Sequence, residues 1–386
     1  MRRLREAGHD VRVIPTESAL KFVGQATWEA LSGNPVTTSV FDDVHEVAHV
    51  SIAQQAKLVI VAPATANVMA KSATGIADDL LTSTLLMSRA PVVFAPAMHT
   101  EMWLHPATQH NVQTLRDRGS LVVDPAVGRL TGADSGPGRL PEASALADIC
   151  EAVLDRGSVV PDLAGVKVLI SAGGTREPLD PVRFLGNRSS GRQGWALASA
   201  AVARGATVEV VAANVELPDP AGATVVRVST TEELHKAVVE RAGAADVVVM
   251  AAAVADFRPT EVSAGKIKKT DDGAAPTLEL TRTVDVLAEL GAAQDSQRVV
   301  VGFAAETVDA GPQLTALADA KRRAKGADLI VANSVGTDRG FESSMNAATI
   351  VSADGVDREV ATTTKIGVAN AVWDAVLPRL PRAGAR

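Results

Sequence analysis

Between positions 168 and 194 the chain reads VLISAGGTREPLDPVRFLGNRSSGRQG: an apolar run, a glycine pair, then charged and small polar residues opening a helix. Residues 168–170 have the character of a buried strand, and Gly173 and Gly174 let backbone N–H groups approach an anion with no Cβ in the way. Asn187, Arg188, Ser189, Ser190 and Gly191 then precede an apolar helix over 195–203, whose first amides and dipole offer a second seat for negative charge. Such turns also serve simply to reverse the chain in doubly wound domains, so this segment alone leaves both readings open. Further along, a strand over 247–250 runs into Ala251, Ala252, Ala253, Val254, Ala255 and Asp256, small residues followed by an acid, as at the rim of a ligand crevice. Beyond it stands Lys266-Ile267-Lys268-Lys269, a run that in isolation reads as a solvated face. A third strand, 298–301, leads into Gly302-Phe303-Ala304-Ala305-Glu306, and the next helix carries Lys321 and Lys325 on one face at i, i+4. Ligands of open parallel sheets bind beyond the carboxyl ends of the strands. Three strand ends and two basic sets therefore point to one nucleotide or phosphate site.

The elements that must position these residues alternate between strand and helix, which predicts two doubly wound α/β domains with parallel sheets. The halves read alike: RRLREAGHDVRVIP and AAVARGATVEVVAA are each helix, glycine, strand, and KLVIVAPATAN and DVVVMAAAVAD are each a strand ending in small residues. Residues 155–163 read as a linker, with the boundary at 160, giving domains 1–160 and 161–386. Near the end, 348–351 and 359–361 form a hairpin through Asp354-Gly355, followed by an amphipathic helix over 364–380. A chain of 386 residues, 46% hydrophobic but only 3% aromatic and without tyrosine, has a core of small aliphatic side chains, as parallel sheets flanked by helices require. Its net charge of −7 gives no chain-wide attraction to nucleic acid or membranes, so the basic residues act locally. The single cysteine, Cys150, excludes a disulfide framework, reads as a buried helix thiol and fits a reducing cytoplasm. There is neither an apolar run long enough for a membrane span nor a signal-peptide pattern at the start.

Taken together and in order, GGTREPLDPVR, NRSSG, AAAVADFRP, KIKK and VGFAAET resemble the phosphopantothenate–cysteine ligase domain. Upstream, AHVSIAQQAKLVIVAPATANVMAK, GIADDLLTS, PAMHTEMW and GADSGPGRL resemble the flavin-dependent phosphopantothenoylcysteine decarboxylase domain. Along nearly its whole length the chain is thus similar to the bifunctional bacterial enzymes of coenzyme A synthesis, which implies flavodoxin-like and Rossmann-like domains. For the ligase half the resemblance implies 4′-phosphopantothenate, cysteine and CTP as substrates, with Mg²⁺ accompanying the nucleotide. Lys266 becomes the catalytic lysine, and Lys321 and Lys325 hold the triphosphate. Asp256 meets the ribose, the base or the metal; Phe303 packs on the base; Gly173, Gly174, Ala252 and Asp285 complete the nucleotide set. Asn187 binds the substrate carboxylate and the acyl intermediate, with Arg183 and Ala253 close by; an uncharged residue there positions without trapping the product.

For the decarboxylase half the resemblance implies FMN, contacted by Pro63, Thr65 and Asn67 and by the hydroxyls of Ser83 and Thr84. His49 is the catalytic histidine, suited to proton handling near neutral pH, and His99 and Met102 meet the substrate. Two positions depart from the family pattern: His99 stands where relatives have asparagine, and Gly132 where they have a proton-donating cysteine. Asp134, a water or His99 would then deliver the proton, and the residues do not choose among them. The chain opens in a helix, and the strand after it has no earlier partner. The family's first strand and glycine-containing phosphate loop would precede it, so a start placed too late or a shortened chain, and with it an incomplete flavin site, is expected. Relatives assemble as homo-oligomers. An alternative is a ligase fused to a catalytically inactive flavoprotein-like assembly domain. A nicotinamide-dependent dehydrogenase fits poorly, because GGTREP is not G-x-G-x-x-G.

Overall fold

The computed structural model describes residues 1–38, 48–130, 135–268, 275, 277–293, 297–334 and 345–381. The chain divides into two compact units, Met1–Pro161 and Asp162–Arg386.

In the first unit β1 (Val59–Ala64), β2 (Val92–Pro96) and β3 (Leu121–Val122) form a parallel sheet in that order, and β4 (Ala126–Arg129) pairs antiparallel with β5 (Ser135–Arg139). Val61, Met69, Phe94, Trp103 and Leu115 build its core. The helix Ala66–Thr74 begins where the Thr65 hydroxyl accepts Val68 N–H, and stops at Gly75, whose φ of 78° no branched residue would tolerate cheaply. A reciprocal capping box between Asp79 and Thr82 starts the helix Leu80–Met87. Cys150 is buried in the helix Ala143–Arg156, where burial pushes its thiol up to about 12 and leaves it inert. The strand expected over 11–14 is absent: no sheet includes that segment, and Val11 O is met instead by the Asn34 side-chain amide at 3.0 Å. An extended segment becomes a strand only when a neighbouring backbone pairs with it.

The second unit contains β6 (Lys167–Gly173), β7 (Arg176–Pro178), β8 (Phe184–Gly186), β9 (Thr207–Ala213), β10 (Ala223–Val228) and β11 (Val247–Met250). It continues with β12 (Phe257–Pro259), β13 (Leu280–Arg282), β14 (Val299–Glu306), β15 (Leu329–Ser334), β16 (Met345–Ser352) and β17 (Gly355–Thr364). One sheet runs in the order β10-β9-β6-β11-β14-β15-β16-β17; the first six strands are parallel, and the β16–β17 hairpin adds an antiparallel edge. Every residue of β11, Val-Val-Val-Met, is buried, as befits a central strand covered on both faces. Because β6 leads outward to β9 and β10 while β11 leads the other way to β14 and β15, the winding reverses between β6 and β11.

The last helix, Lys365–Val376, is not amphipathic as its sequence suggests: nine of its twelve residues are buried. The helix Arg192–Ala203 covers one side of it, and Trp373 Nε1 donates to Leu197 O at 3.0 Å. Buried Arg204 ties the unit's beginning to this end, with Asp162 at 2.7 Å and Asp374 at 2.8 Å, so a charge taken out of water is fully paired.

Candidate functional site

A cavity of about 1070 Å³ lies at the carboxyl ends of β6, β11 and β14, where the sheet order reverses. Four segments wall it: the loop and helix start from Asn187 to Gly194, the run from Met250 to Phe257, the stretch from Arg282 to Leu287, and Phe303 to Ala305 at the end of β14. The structure thus brings Asn187, Ala252, Ala253, Asp256, Asp285, Phe303, Lys321 and Lys325 to one place.

Local bonds explain the arrangement. Asn187 Nδ2 donates to Val254 O at 2.9 Å, pinning the Asn-Arg-Ser-Ser-Gly loop to the segment after β11. Ala255 N–H donates to the buried Thr175 hydroxyl at 2.9 Å, and that hydroxyl meets Thr231 Oγ1 at 3.0 Å, so the small-residue run is bolted to the end of β6. Buried Glu177 accepts Thr231 N–H at 2.8 Å. Lys325 is paired with Asp285, and Lys321 Nζ lies 3.7 Å from Glu306. Burial opposes ionisation of Asp285, yet Lys325, the Ala288 amide and Lys321 together hold its carboxyl below the usual carboxylate value. The Asp256 carboxylate has no side-chain partner among the described residues and is exposed on the cavity wall.

Several nominated residues are used differently from the sequence expectation. Gly174 N–H is not free for an anion, since it donates to Ala213 O at 3.0 Å. Both glycines are there for close approach: a Cβ at Gly173 would run into Ala213 O, and one at Gly174 would lie 2.7 Å from Asn187 O. Arg183 does not line the cavity; its guanidinium is engaged with Asp180 at 2.6 Å and with Ile267 O at 2.6 Å. Lys266 is exposed on its loop and is not part of the cavity wall; the backbone of that loop docks on the turn at 179–183.

Three cations of the cavity escaped the sequence reading, Arg282 and the pair Arg192 and Lys365. Among the described residues neither of that pair has a carboxylate within ion-pair distance. Burial, and then the charge of Arg192, push the Lys365 ammonium below the usual lysine value. Lys365 belongs to an unremarkable Thr-Thr-Thr-Lys stretch, and only the return of the last helix against Arg192–Ala203 brings it here; Gln193 Nε2 donates to Lys365 O at 3.2 Å.

In the first unit the nominated residues gather around the carboxyl ends of β1 and β2. Pro63 is exposed near the end of β1 and Thr65 and Asn67 just past it, His99 is exposed at the start of the helix Thr100–Leu104, and Met102 is half exposed. Ser83 is half-buried, whereas the Thr84 hydroxyl is buried and donates to Leu80 O at 2.7 Å, so its hydrogen goes to its own helix. The Thr100 hydroxyl oxygen is buried without a partner beside Gly136. A buried hydroxyl with an unused donor and acceptor fits the polar edge of a flavin ring. His49 lies on the helix Ala48–Gln55, while Gly132, Asp134 and Lys269 fall outside the described residues. A second cavity of about 770 Å³, lined by Lys57, Arg89 and Pro91, opens instead at the amino ends of β1 and β2.

Among the described residues no three His, Cys, Asp or Glu side chains are grouped to hold a metal ion, and no helix is long and apolar enough to cross a membrane. The fold and site define a two-unit α/β protein with a nucleotide-sized, cation-lined cavity at a sheet switch point. Residues 163–379 match the family described as DNA/pantothenate metabolism flavoprotein C-terminal domain, and residues 1–155 match the family described as Flavoprotein. A Coenzyme A biosynthesis bifunctional protein CoaBC of Mycolicibacterium smegmatis is 56% identical over 385 residues, covering 97% of this chain and 92% of that protein. The protein of the same name from Bacillus subtilis is 44% identical over 370 residues, covering 95% and 89%. Among solved structures, the C-terminal domain of a CoaBC protein is 36% identical with a TM-score of 0.47, covering 56% of this chain and 97% of that one. The chain belongs to the family of bifunctional coenzyme A biosynthesis proteins.

Proposed function

We infer that residues 162–386 join 4′-phosphopantothenate to cysteine at the expense of CTP, and that residues 1–161 decarboxylate the product with FMN, giving 4′-phosphopantetheine. The observation that carries the ligase reading is the cavity itself: Lys321, Lys325, Arg192 and Lys365 on its wall supply more positive charge than Asp256 and Asp285 remove. A triphosphate matches that balance. In the first step a carboxylate oxygen attacks the α-phosphorus, the bond to the β-phosphate breaks, and pyrophosphate leaves. In the second the cysteine amine attacks the acyl carbon, loses a proton, and CMP departs with the electron pair of the C–O bond of the mixed anhydride. Asn187 holds the carboxylate, Phe303 packs on the base, and Lys266 meets charge developing at the α-phosphate. Asp256, exposed on the cavity wall, would be the carboxylate to meet Mg²⁺ bound with the nucleotide, and the ion would offset charge on the phosphates.

FMN, when bound, supplies the two-electron oxidation and re-reduction that let carbon dioxide leave. Thr65, Asn67 and the Thr100 hydroxyl would hold its polar edge, His49 would handle a proton near the flavin and the substrate's carboxyl end, and His99 would donate a hydrogen bond to the substrate carboxylate. The enzyme works in the cytoplasm as a homo-oligomer, a reading supported by Val182, Phe184 and Leu185, which stand exposed around the β7–β8 arm.

The test is a coupled assay on the full chain with phosphopantothenate, cysteine, CTP, Mg²⁺ and FMN, following pyrophosphate and carbon dioxide separately. Both are expected. Absence of pyrophosphate removes the ligase reading. Absence of carbon dioxide from directly supplied phosphopantothenoylcysteine assigns the first unit to assembly instead, as the Gly132 and His99 departures would then explain.

A further inference from the structure

Lys266 lies in a stretch, 260–268, with no helix or strand, and one carboxylate organises it. The Asp180 side chain has no exposed surface. Its Oδ1 accepts Val182 N–H and Arg183 N–H, each at 2.8 Å. Its Oδ2 accepts Arg183 Nε at 2.9 Å, Arg183 Nη2 at 2.6 Å and Ile267 N–H at 3.1 Å. Arg183 Nη2 also donates to Ile267 O at 2.6 Å, and Ser263 N–H donates to Leu179 O at 3.0 Å. Both backbone groups of the residue next to Lys266 are therefore held by the Asp180–Arg183 pair.

We propose that Asp180 is a positioning residue for the ligase step, fixing Lys266 relative to the cavity through Arg183 and the backbone of Ile267. The inference rests on the functional reading above, in which Lys266 touches the reacting phosphates. Five N–H donors converge on two oxygens, a demand that only an ionised carboxylate meets. Burial works against that charge, but the Val182 amide, the Arg183 guanidinium and the Ile267 and Arg183 amides outweigh it and keep the carboxyl far below the ordinary carboxylate value. Asparagine has nearly the same shape, yet its NH₂ would face N–H donors at either oxygen position. Proline at 181 fixes the backbone between the two partners and lends the turn its rigidity.

The experiment compares wild type with Asp180→Asn in the full chain, by pyrophosphate-release kinetics and by the rate of tryptic cleavage after Lys266 and Lys268. Misplacement of a group by an ångström costs up to about 100-fold, so kcat should fall about 10- to 100-fold. The KM for CTP should stay within about 2-fold, since the cavity contacts are untouched. Cleavage after Lys266 should accelerate while carbon dioxide release from supplied phosphopantothenoylcysteine is unchanged. An unaltered kcat, a loss confined to KM, or cleavage no faster than wild type would overturn the proposal. Should Asp180→Asn fail to fold, Ile267→Pro deletes one of the five donors and leaves Asp180 and Arg183 in place. A smaller kcat loss is expected there, and no loss counts against the idea. If wild type itself releases no pyrophosphate, the functional reading fails, while the cleavage rates still decide whether Asp180 holds the loop.

Discussion

The carboxyl edges of the two sheets present different chemistry. In residues 162–386 the segments after β6, β11 and β14 turn back over the strand ends and enclose a cavity that concentrates ionised groups, Arg188, Arg192, Arg282, Lys321, Lys325 and Lys365 against Asp256 and Asp285. In residues 1–161 the strand ends run into short helices, and what they present is chiefly uncharged hydroxyl and amide groups, Thr65, Asn67 and the Thr100 hydroxyl, with His99 beside them. A polyphosphate needs the first kind of surface and an aromatic ring with a few polar edges needs the second. The number of segments crossing the sheet edge, more than the sheet itself, sets how much charge a site can concentrate.

The largest expected effect tests whether the units are as separate in energy as in chemistry. Trp373 is fully buried and hydrogen-bonded to Leu197 O, and Trp373→Ala should cost the second unit about 3–5 kcal/mol. Calorimetry should find its transition lowered and that of the first unit unmoved; a joint shift would break the comparison. Next, Lys266→Ala should slow pyrophosphate release about 100- to 1,000-fold and leave carbon dioxide release from supplied substrate intact, whereas an equal loss in both reactions would deny Lys266 a place in the ligase site.

Smaller effects refine the charge argument. Lys321→Ala and Lys325→Ala should each weaken CTP binding about 10-fold, the worth of one charged hydrogen bond, read by titration calorimetry, with a steeper salt dependence in wild type than in the variants. Because burial and Arg192 lower the Lys365 value, its charge is lost at a lower pH than that of an ordinary lysine. CTP affinity should accordingly decline as pH rises into the alkaline range, and Lys365→Arg, which keeps its charge, should flatten that decline.

Smallest of all is a stability difference of opposite sign between the units. In the first, burial raises the Asp148 carboxyl to about 6, with Arg3 opposing and Glu151 reinforcing the shift. A raised carboxylate binds more protons folded than unfolded, so its contribution is present below the ordinary value and is lost as pH climbs through about 6. Asp148→Asn should therefore raise the first unit's melting temperature at neutral pH and change little near pH 4. Asp180 in the second unit, with its value lowered, contributes above the ordinary carboxylate range and loses that contribution in acid.

Much of this was legible in the residues. Strand β11 and its small-residue exit, the glycine-led start of Arg192–Ala203, and the i, i+4 lysines all lie at the edge where their pattern put them. Local spacing carries such information because strand ends and helix faces are local objects. Lys365 was not legible: its neighbours in sequence say nothing about Arg192, which is brought beside it by the packing of two helices. The amphipathic reading of Lys365–Val376 failed for a related reason, since the helix is covered from more than one side by Arg192–Ala203, β16 and β17.

By itself the sequence determined the alternation of strand and helix, the motifs of both families, and which residue types stand at the strand exits. Tertiary structure alone decided which polar groups remain available. Gly174 N–H is taken by Ala213, the Arg183 guanidinium by Ile267 O, and Lys325 by Asp285, each across a gap in sequence that no local pattern spans. A donor or acceptor is free or engaged according to what packs against it, and that depends on strand order and on which loops meet at the edge of the sheet.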